Sequence, residues 1–124
     1  MKMSEKYLRL ELWHKAYNLD KKDNLHDLPS QKAVFGIFAI VDDQPSNCRY
    51  VGQTEDLQQA VKTLFEKPEG TAMKNFMQGP WIQMIQYTLM PDSYLEERQE
   101  VVRDWERQFE PKIGEEGDYP GYYD

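Results

Sequence analysis

The sequence predicts an α+β domain: a small three-stranded antiparallel sheet flanked by helices, with an N-terminal helical or extended arm. Three observations carry this. Ala33 to Val41 is an almost unbroken apolar run of strand length, with Val34, Phe35, Ile37, Phe38, Ile40 and Val41. A polar turn, Asp42 to Asn47, separates it from a second short run, Cys48 to Gly52, which is the pattern of a hairpin with a long loop. Beyond the hairpin, stripes of apolar residues at helical spacing bracket one more strand-like run. Sheets and helices must bury their apolar faces against each other, so this order predicts helices packed on a sheet.

The elements follow in chain order. Residues 4–18 carry Tyr7, Leu8, Leu10, Leu12, Trp13 and Tyr17. Leu10, Trp13 and Tyr17 recur as on a helix, while Leu8, Leu10 and Leu12 alternate as on a strand; length favours the helix. Asp20 to Ser30 is polar, closes on Leu28-Pro29-Ser30, and reads as a linker. After Gly52, Thr54 is a candidate cap, and Glu55 and Asp56 suit the positive end of a helix dipole. Leu57, Ala60, Val61, Leu64 and Phe65 then form one face, and Pro68 and Gly70 stop the helix. Residues 71–78 predict a short helix with Met73, Phe76 and Met77 inward. Trp81 to Met90 predicts the third strand, with Ile82, Ile85, Tyr87 and Leu89 apolar. Ser93-x-x-Glu96 is a capping-box pattern for the last helix, whose stripe is Leu95, Val102 and Phe109 with Val101 and Trp105 beside it. Pro111 and Gly114 end that helix. Three regions result: an N-terminal arm and linker over 1–30, a domain over 31–112, and a flexible acidic, aromatic tail over 113–124.

Composition narrows the function classes. The chain has 124 residues, the size of one domain, with 5 Phe, 8 Tyr and 3 Trp to build a core. Net charge is −7, from 22 acidic and 15 basic residues. Nucleic-acid binding rests on Lys and Arg neutralising phosphates. The clearest basic pair, Lys21-Lys22, is flanked by Asp20 and Asp23, so the charge balance speaks against a nucleic-acid partner. Cys48 is a single cysteine, and His14 and His26 are the two histidines, which excludes a disulfide framework and disfavours zinc. With no signal-like segment and no long apolar span, the expectation is a cytoplasmic or similarly reducing location.

The sharpest motif is Val34-Phe35-Gly36-Ile37-Phe38-Ala39-Ile40 followed by Arg49-Tyr50-Val51-Gly52-Gln53-Thr54-Glu55-Asp56-Leu57. These two segments, with Glu96 to Trp105 and the Phe109-Glu110-Pro111-Lys112 exit, resemble the GIY-YIG nuclease superfamily over roughly residues 31–112. The resemblance implies a metal-dependent phosphodiester hydrolase site. Two tyrosines would serve the water and proton-transfer end, a helix arginine the phosphate, and a last-helix glutamate a divalent ion. Such chemistry needs a metal and a cation to take up developing charge.

This chain departs from that pattern. Tyr50 matches the second tyrosine, but Phe38 stands at the first and has no hydroxyl. Ala60 stands eight residues after Gly52, at the arginine position. Gln58 and Gln59 are neutral, and Lys62 lies about 200° round the helix from Ala60, at ~100° per residue. Glu100 is the best match to the metal ligand, with Glu96 and Glu97 as fallbacks. Losing an arginine of this kind costs phosphoryl transfer several orders of magnitude. The motif positions Gly36, Ile37, Phe38, Tyr50, Val51, Gly52 and Ala60 therefore imply a pseudo-nuclease, with Tyr50 and Glu100 vestigial.

Plainer accounts stand beside each of these. Phe38, Trp81 and Trp105 suit a core, Tyr50 an ordinary core or edge tyrosine, Gly36 and Gly52 close strand packing, and Glu100 a solvated face. His14 on the arm earns no catalytic role, and Cys48 lacks neighbours that would activate a thiol. The tail, with Tyr119, Tyr122 and Tyr123 among Asp118, Pro120, Gly121 and Asp124, reads as a solubility tail or as a docking peptide for a basic partner. The reading is a catalytically inactive GIY-YIG-like protein-interaction or adaptor module, without cofactor. The alternatives are a divergent DNA endonuclease using magnesium or manganese at Glu100, and a non-catalytic nucleic-acid-binding module.

Overall fold

The computed structural model describes residues 8–17, 20–41, 44–79 and 81–111. Among them are strands β1 (Leu8–Leu12), β2 (Ala33–Val41), β3 (Gln44–Thr54) and β4 (Gln83–Leu89). The helices are α1 (Leu57–Glu66), α2 (Gly70–Gln78) and α3 (Leu95–Phe109), with a short 3-10 turn at Leu25–Asp27. The sheet has four strands in the order β1-β4-β2-β3, every neighbouring pair antiparallel. No helix among the described residues is long and apolar enough to cross a membrane.

The α+β architecture is as expected, but the sheet has four strands where three were expected. The extra one is β1. The helical period of residues 4–18 was the wrong one for the described part: Leu10 and Leu12 alternate, paired with Ile85 and Gln83 of β4. Strand pairing wins because β4 offers a free edge, and Leu12 is fully buried there.

The polar segment after β1 belongs to the same body. Leu25 and Leu28 are buried in the main core. Asn24 fastens the segment to β1: its Nδ2 donates to the Glu11 carbonyl at 2.6 Å, and its Oδ1 accepts from the Trp13 N–H at 2.8 Å. The first N–H groups of a helix lack intrahelical acceptors. Those of α1 find them here, Leu57 donating to the Gln31 carbonyl at 3.0 Å and Gln58 to that of Pro29 at 3.2 Å. The Gln58 side chain closes the contact by donating to the carbonyls of His26 and Leu28.

Strand alternation sorts the core into two clusters, one per sheet face. Phe35, Ile37, Ile85 and Tyr87 face α1 and α2, packing with Leu57, Val61, Phe65, Met73, Phe76 and Met77. Val34, Phe38, Cys48 and Val51 face α3, packing with Val101 and Trp105. Burial of apolar area at roughly 25 cal/mol per Å² drives both. The buried face of α3 is rotated from the expected stripe: Arg98, Val101 and Trp105 are buried, while Leu95 is 44% exposed.

The caps differ by a few residues from the sequence patterns. Thr54 ends β3, and Asp56 caps α1, its carboxylate accepting from the Gln59 N–H at 3.1 Å. At α3 the cap pair is Tyr94 and Glu97 rather than Ser93 and Glu96, with the Tyr94 N–H donating to Glu97 Oε1 at 2.8 Å. Ser93 is committed elsewhere: its hydroxyl donates to the Met90 carbonyl and accepts from Arg98.

Candidate functional site

Tyr50 and Gly52 lie two residues apart on β3, so they share a face. Tyr50 folds over that glycine: a Cβ at Gly52 would lie 2.8 Å from the ring and from the hydroxyl. The same device recurs on β2, where a Cβ at Gly36 would sit 3.2 Å from the Phe38 ring. Each glycine of the motif thus seats the aromatic ring two residues away on its own strand. Their shared requirement is space, which only the absent side chain supplies.

The two rings, however, sit on opposite faces. The register pairs Ile37 with Tyr50 and Gly36 with Val51. Two tyrosines serving one site must share a sheet face, and the residue facing Tyr50 is Ile37. Phe38 pairs with Cys48 across a register shift, and its ring packs edge-on against Phe109 of α3 at 5.1 Å. Arg49 is the residue inserted at that shift, and a second shift follows between Phe38 and Ala39, so the pairs from Ala39 onward are displaced by two positions. Ile37 and Phe38 alternate along β2, so pairing Ile37 with Tyr50 puts Phe38 on the other face, and the spacing between the tripeptides does not display that register.

Tyr50 sits at the margin of the α1/α2 cluster, where Ala60 and Leu64 of α1 and Ala72 of α2 also pack. The Phe35 ring lies 5.6 Å away. Burial raises the phenol above its ordinary value of 10.0, and the negative charge of Glu69 raises it further. A phenol held protonated in this way can donate a hydrogen bond but is a poor base. Arg9, on the far edge strand β1, donates from Nε to Gln86 Oε1 of β4 at 3.2 Å. Lys15 is exposed in the turn after β1.

Glu100 does not meet Tyr50. It is exposed on α3, which packs on the other face of the sheet, and Glu96 is exposed likewise. Glu97 is half-buried, with its carboxylate on the Tyr94 N–H. Among the described residues, no group of three His, Cys, Asp or Glu side chains is arranged to hold a metal ion. Tyr119, Tyr122 and Tyr123 lie outside the described residues.

Sequence reasoning missed two buried cations. Arg98 is 2% exposed; its Nε donates to Gln53 Oε1 at 2.9 Å and its Nη1 to the Ser93 carbonyl and hydroxyl at 3.0 Å. Its Nη2 lies 3.8 Å from Glu55, whose side chain is 80% exposed. The signal was legible: Arg98 precedes Val101, Val102 and Trp105 by three, four and seven residues, so it falls inside the buried stripe. Arg49 is 1% exposed at the β3 bulge. Its signal was a lone charge between Cys48 and Tyr50 in an apolar strand. His14 proves buried too. Its Nδ1 accepts from the Ala16 N–H, which leaves Nε2 to donate to Glu66 Oε2 at 3.2 Å. That contact ties the segment after β1 to the end of α1 and supports no catalysis on its own.

Cys48 behaves as a buried small hydrophobe. Burial pushes its thiol up to about 12, against lowering by a hydrogen bond to the Tyr50 carbonyl and by the nearby Arg49 charge.

No family model and no curated protein matches this chain. Among solved structures it is similar to the GIY-YIG N-terminal endonuclease domain of UvrC from Thermotoga maritima, a point mutant bound to the catalytic divalent cation. The similarity covers 77% of this chain and 100% of that one, at 11% identity and a TM-score of 0.51. At that identity the likeness speaks to architecture, and it agrees with the motif segments on β2 and β3. The chain has a GIY-YIG-like fold.

Proposed function

We propose that this domain is catalytically silent and serves as a protein-interaction or adaptor module. The observation that carries the reading is Ala60 at the arginine position, an alanine packed on the same core cluster as Tyr50, whose phenol feels the charge of Glu69. A methyl group cannot neutralise a phosphoryl transition state, and an anion near Tyr50 opposes the approach of a phosphodiester. The separation of Tyr50 from Glu100 by the sheet supports the same reading. The net charge of −7 favours a protein partner over nucleic acid, and the buried Cys48 thiol suits a reducing cytoplasmic setting. No cofactor is needed for this role.

The pure chain is the test, incubated with supercoiled, linear, branched and single-stranded DNA in magnesium and in manganese. The expected result is no cleavage. Metal-dependent nicking that disappears in Glu100→Ala would falsify the proposal and establish a divergent endonuclease. Salt-sensitive DNA or RNA binding at near-physiological ionic strength, without cleavage, would make it a nucleic-acid-binding module instead.

A further inference from the structure

Folding takes His14 out of water, at 9% exposure, while His26 stays on the surface. His14 follows β1 and is held from several sides. Its Nδ1 accepts from the Ala16 N–H at 3.1 Å, and its Nε2 donates at 3.2 Å to Oε2 of Glu66, the last residue of α1. The Tyr17 and Phe65 rings lie against the imidazole, with centroids 5.1 and 5.5 Å away. An imidazole that accepts on one nitrogen and donates from the other is neutral.

Two carboxylates nonetheless face the ring from different segments. One is Glu66. The other is Asp23, whose Oδ2 lies 4.0 Å from Nδ1 while its Oδ1 is fixed by the Leu25 N–H at 2.9 Å. In the neutral ring, Nδ1 and the Asp23 carboxylate are both acceptors and cannot bond each other. Protonation turns Nδ1 into a donor. It then opposes the Ala16 N–H, which is also a donor, and matches Asp23. The lysines around this site lie at the surface: Lys15, Lys21 and Lys22 line a concavity with Asp20 and Asp23, and Lys62 of α1 shares a second hollow with Asp23.

We infer that His14 is a proton-operated switch on the turn after β1: protonation breaks its hold on Ala16 and hands Nδ1 to Asp23, so that the imidazolium bridges Asp23 and Glu66. The turn keeps its main-chain bond, from the Tyr17 N–H to the His14 carbonyl at 2.9 Å, but loses its side-chain clamp. Glu66 is bonded in both states, which keeps the segment fastened to α1. Lys15 sits in the turn and lines the concavity, so proton uptake changes the charge and the shape of that surface together. The inference is independent of whether the domain is catalytically silent.

Nuclear magnetic resonance on the full-length chain tests it. Nitrogen-15 shifts of the His14 ring should show Nδ1 unprotonated at neutral pH and both nitrogens protonated in mild acid. In step with that titration, protection of the Ala16 amide, taken relative to the unfolded-chain exchange rate at each pH, should fall tenfold or more. Amides of β4 should keep their protection as the folding control. His14→Asn places a side-chain oxygen where Nδ1 accepts and removes the titration, so its Ala16 amide should stay protected throughout. Asp23→Asn should move the Ala16 step to lower pH, because the imidazolium loses a carboxylate. A ring with Nδ1 protonated at neutral pH overturns the inference, as does Ala16 protection that ignores the His14 titration. A step that persists in His14→Asn, or that Asp23→Asn leaves in place, overturns it too. Loss of β4 protection in the same step also overturns it, because the event would then be acid unfolding of the whole domain.

Discussion

The two faces of the sheet carry the same motif to different ends. On the α1/α2 side, Gly52 seats Tyr50, a half-buried phenol packed against the α1/α2 core cluster. On the α3 side, Gly36 seats Phe38, whose ring disappears between the sheet and Phe109. The first face keeps a polar group near the surface; the second has become core. A pair of tripeptides that resembles one catalytic site is thus distributed over two packing surfaces. The difference teaches that motif glycines can persist for the room they give a neighbouring ring, whatever that ring does.

The largest way to probe the comparison is to truncate one ring per face. Trp105→Ala on the α3 side and Phe65→Ala on the α1 side should each cost about 3–5 kcal/mol, because both side chains are 0–1% exposed. Urea unfolding measures both. A cost below about 1 kcal/mol for Trp105→Ala would show that the α3 face is not a true second core.

Next comes the buried cation on that face. Arg98→Ala should lose about 2–4 kcal/mol, since it strands Gln53 and Ser93 acceptors in a buried setting. Glu55→Gln should cost under about 0.5 kcal/mol, because its carboxylate is largely in water. Equal losses for the two would mean that the ion pair, rather than the hydrogen bonds, holds α3 to β3.

The glycine seats come third. Gly52→Ala should destabilise by about 1–3 kcal/mol, since the new methyl meets the Tyr50 ring at 2.8 Å. In a Tyr50→Ala background the penalty should largely vanish, and the double-mutant cycle reads the coupling directly. Additive losses would refute the seat. Gly36→Ala should behave the same way toward Phe38, more weakly, because its contact is 3.2 Å.

The pH response of the buried thiol is smaller and appears only in alkali. The Cys48 thiol rises from an ordinary 9.0 to about 12 in the folded chain. A raised pKa means that the folded state holds its proton longer than the unfolded state. The stabilising effect is complete below pH 9 and is lost as pH rises towards 12. Stability of the wild type should therefore fall more steeply than that of Cys48→Ala across this window. Parallel curves would contradict the burial of the thiol. The smallest effect belongs to Glu100→Gln, which should shift stability by less than about 0.5 kcal/mol, as expected of an exposed helix position.

Much of the fold was legible in local pattern. The β2–β3 hairpin, both helices after it, β4 and α3 follow from apolar periodicity and from Pro and Gly punctuation, which act within a few residues. The segment before residue 31 was less legible, because Leu8, Leu10 and Leu12 share their stretch with a competing helical period. Only the free edge of β4 settles that contest. Caps shifted by one or two positions for a similar reason: Ser93 is claimed by Arg98, a contact that no local rule contains.

The sequence by itself determined the α+β class, the hairpin, the resemblance and the absence of arginine at position 60, since these depend on residue identity and short-range period. Tertiary structure alone decided the fourth strand, the partners that Arg98 finds in Gln53 and Ser93, and the register that sets Tyr50 against Ile37. Register and burial depend on which surfaces meet. The bulge at Arg49 puts Cys48 and Tyr50, two residues apart, into clusters on opposite faces, where unbroken alternation would have kept them together.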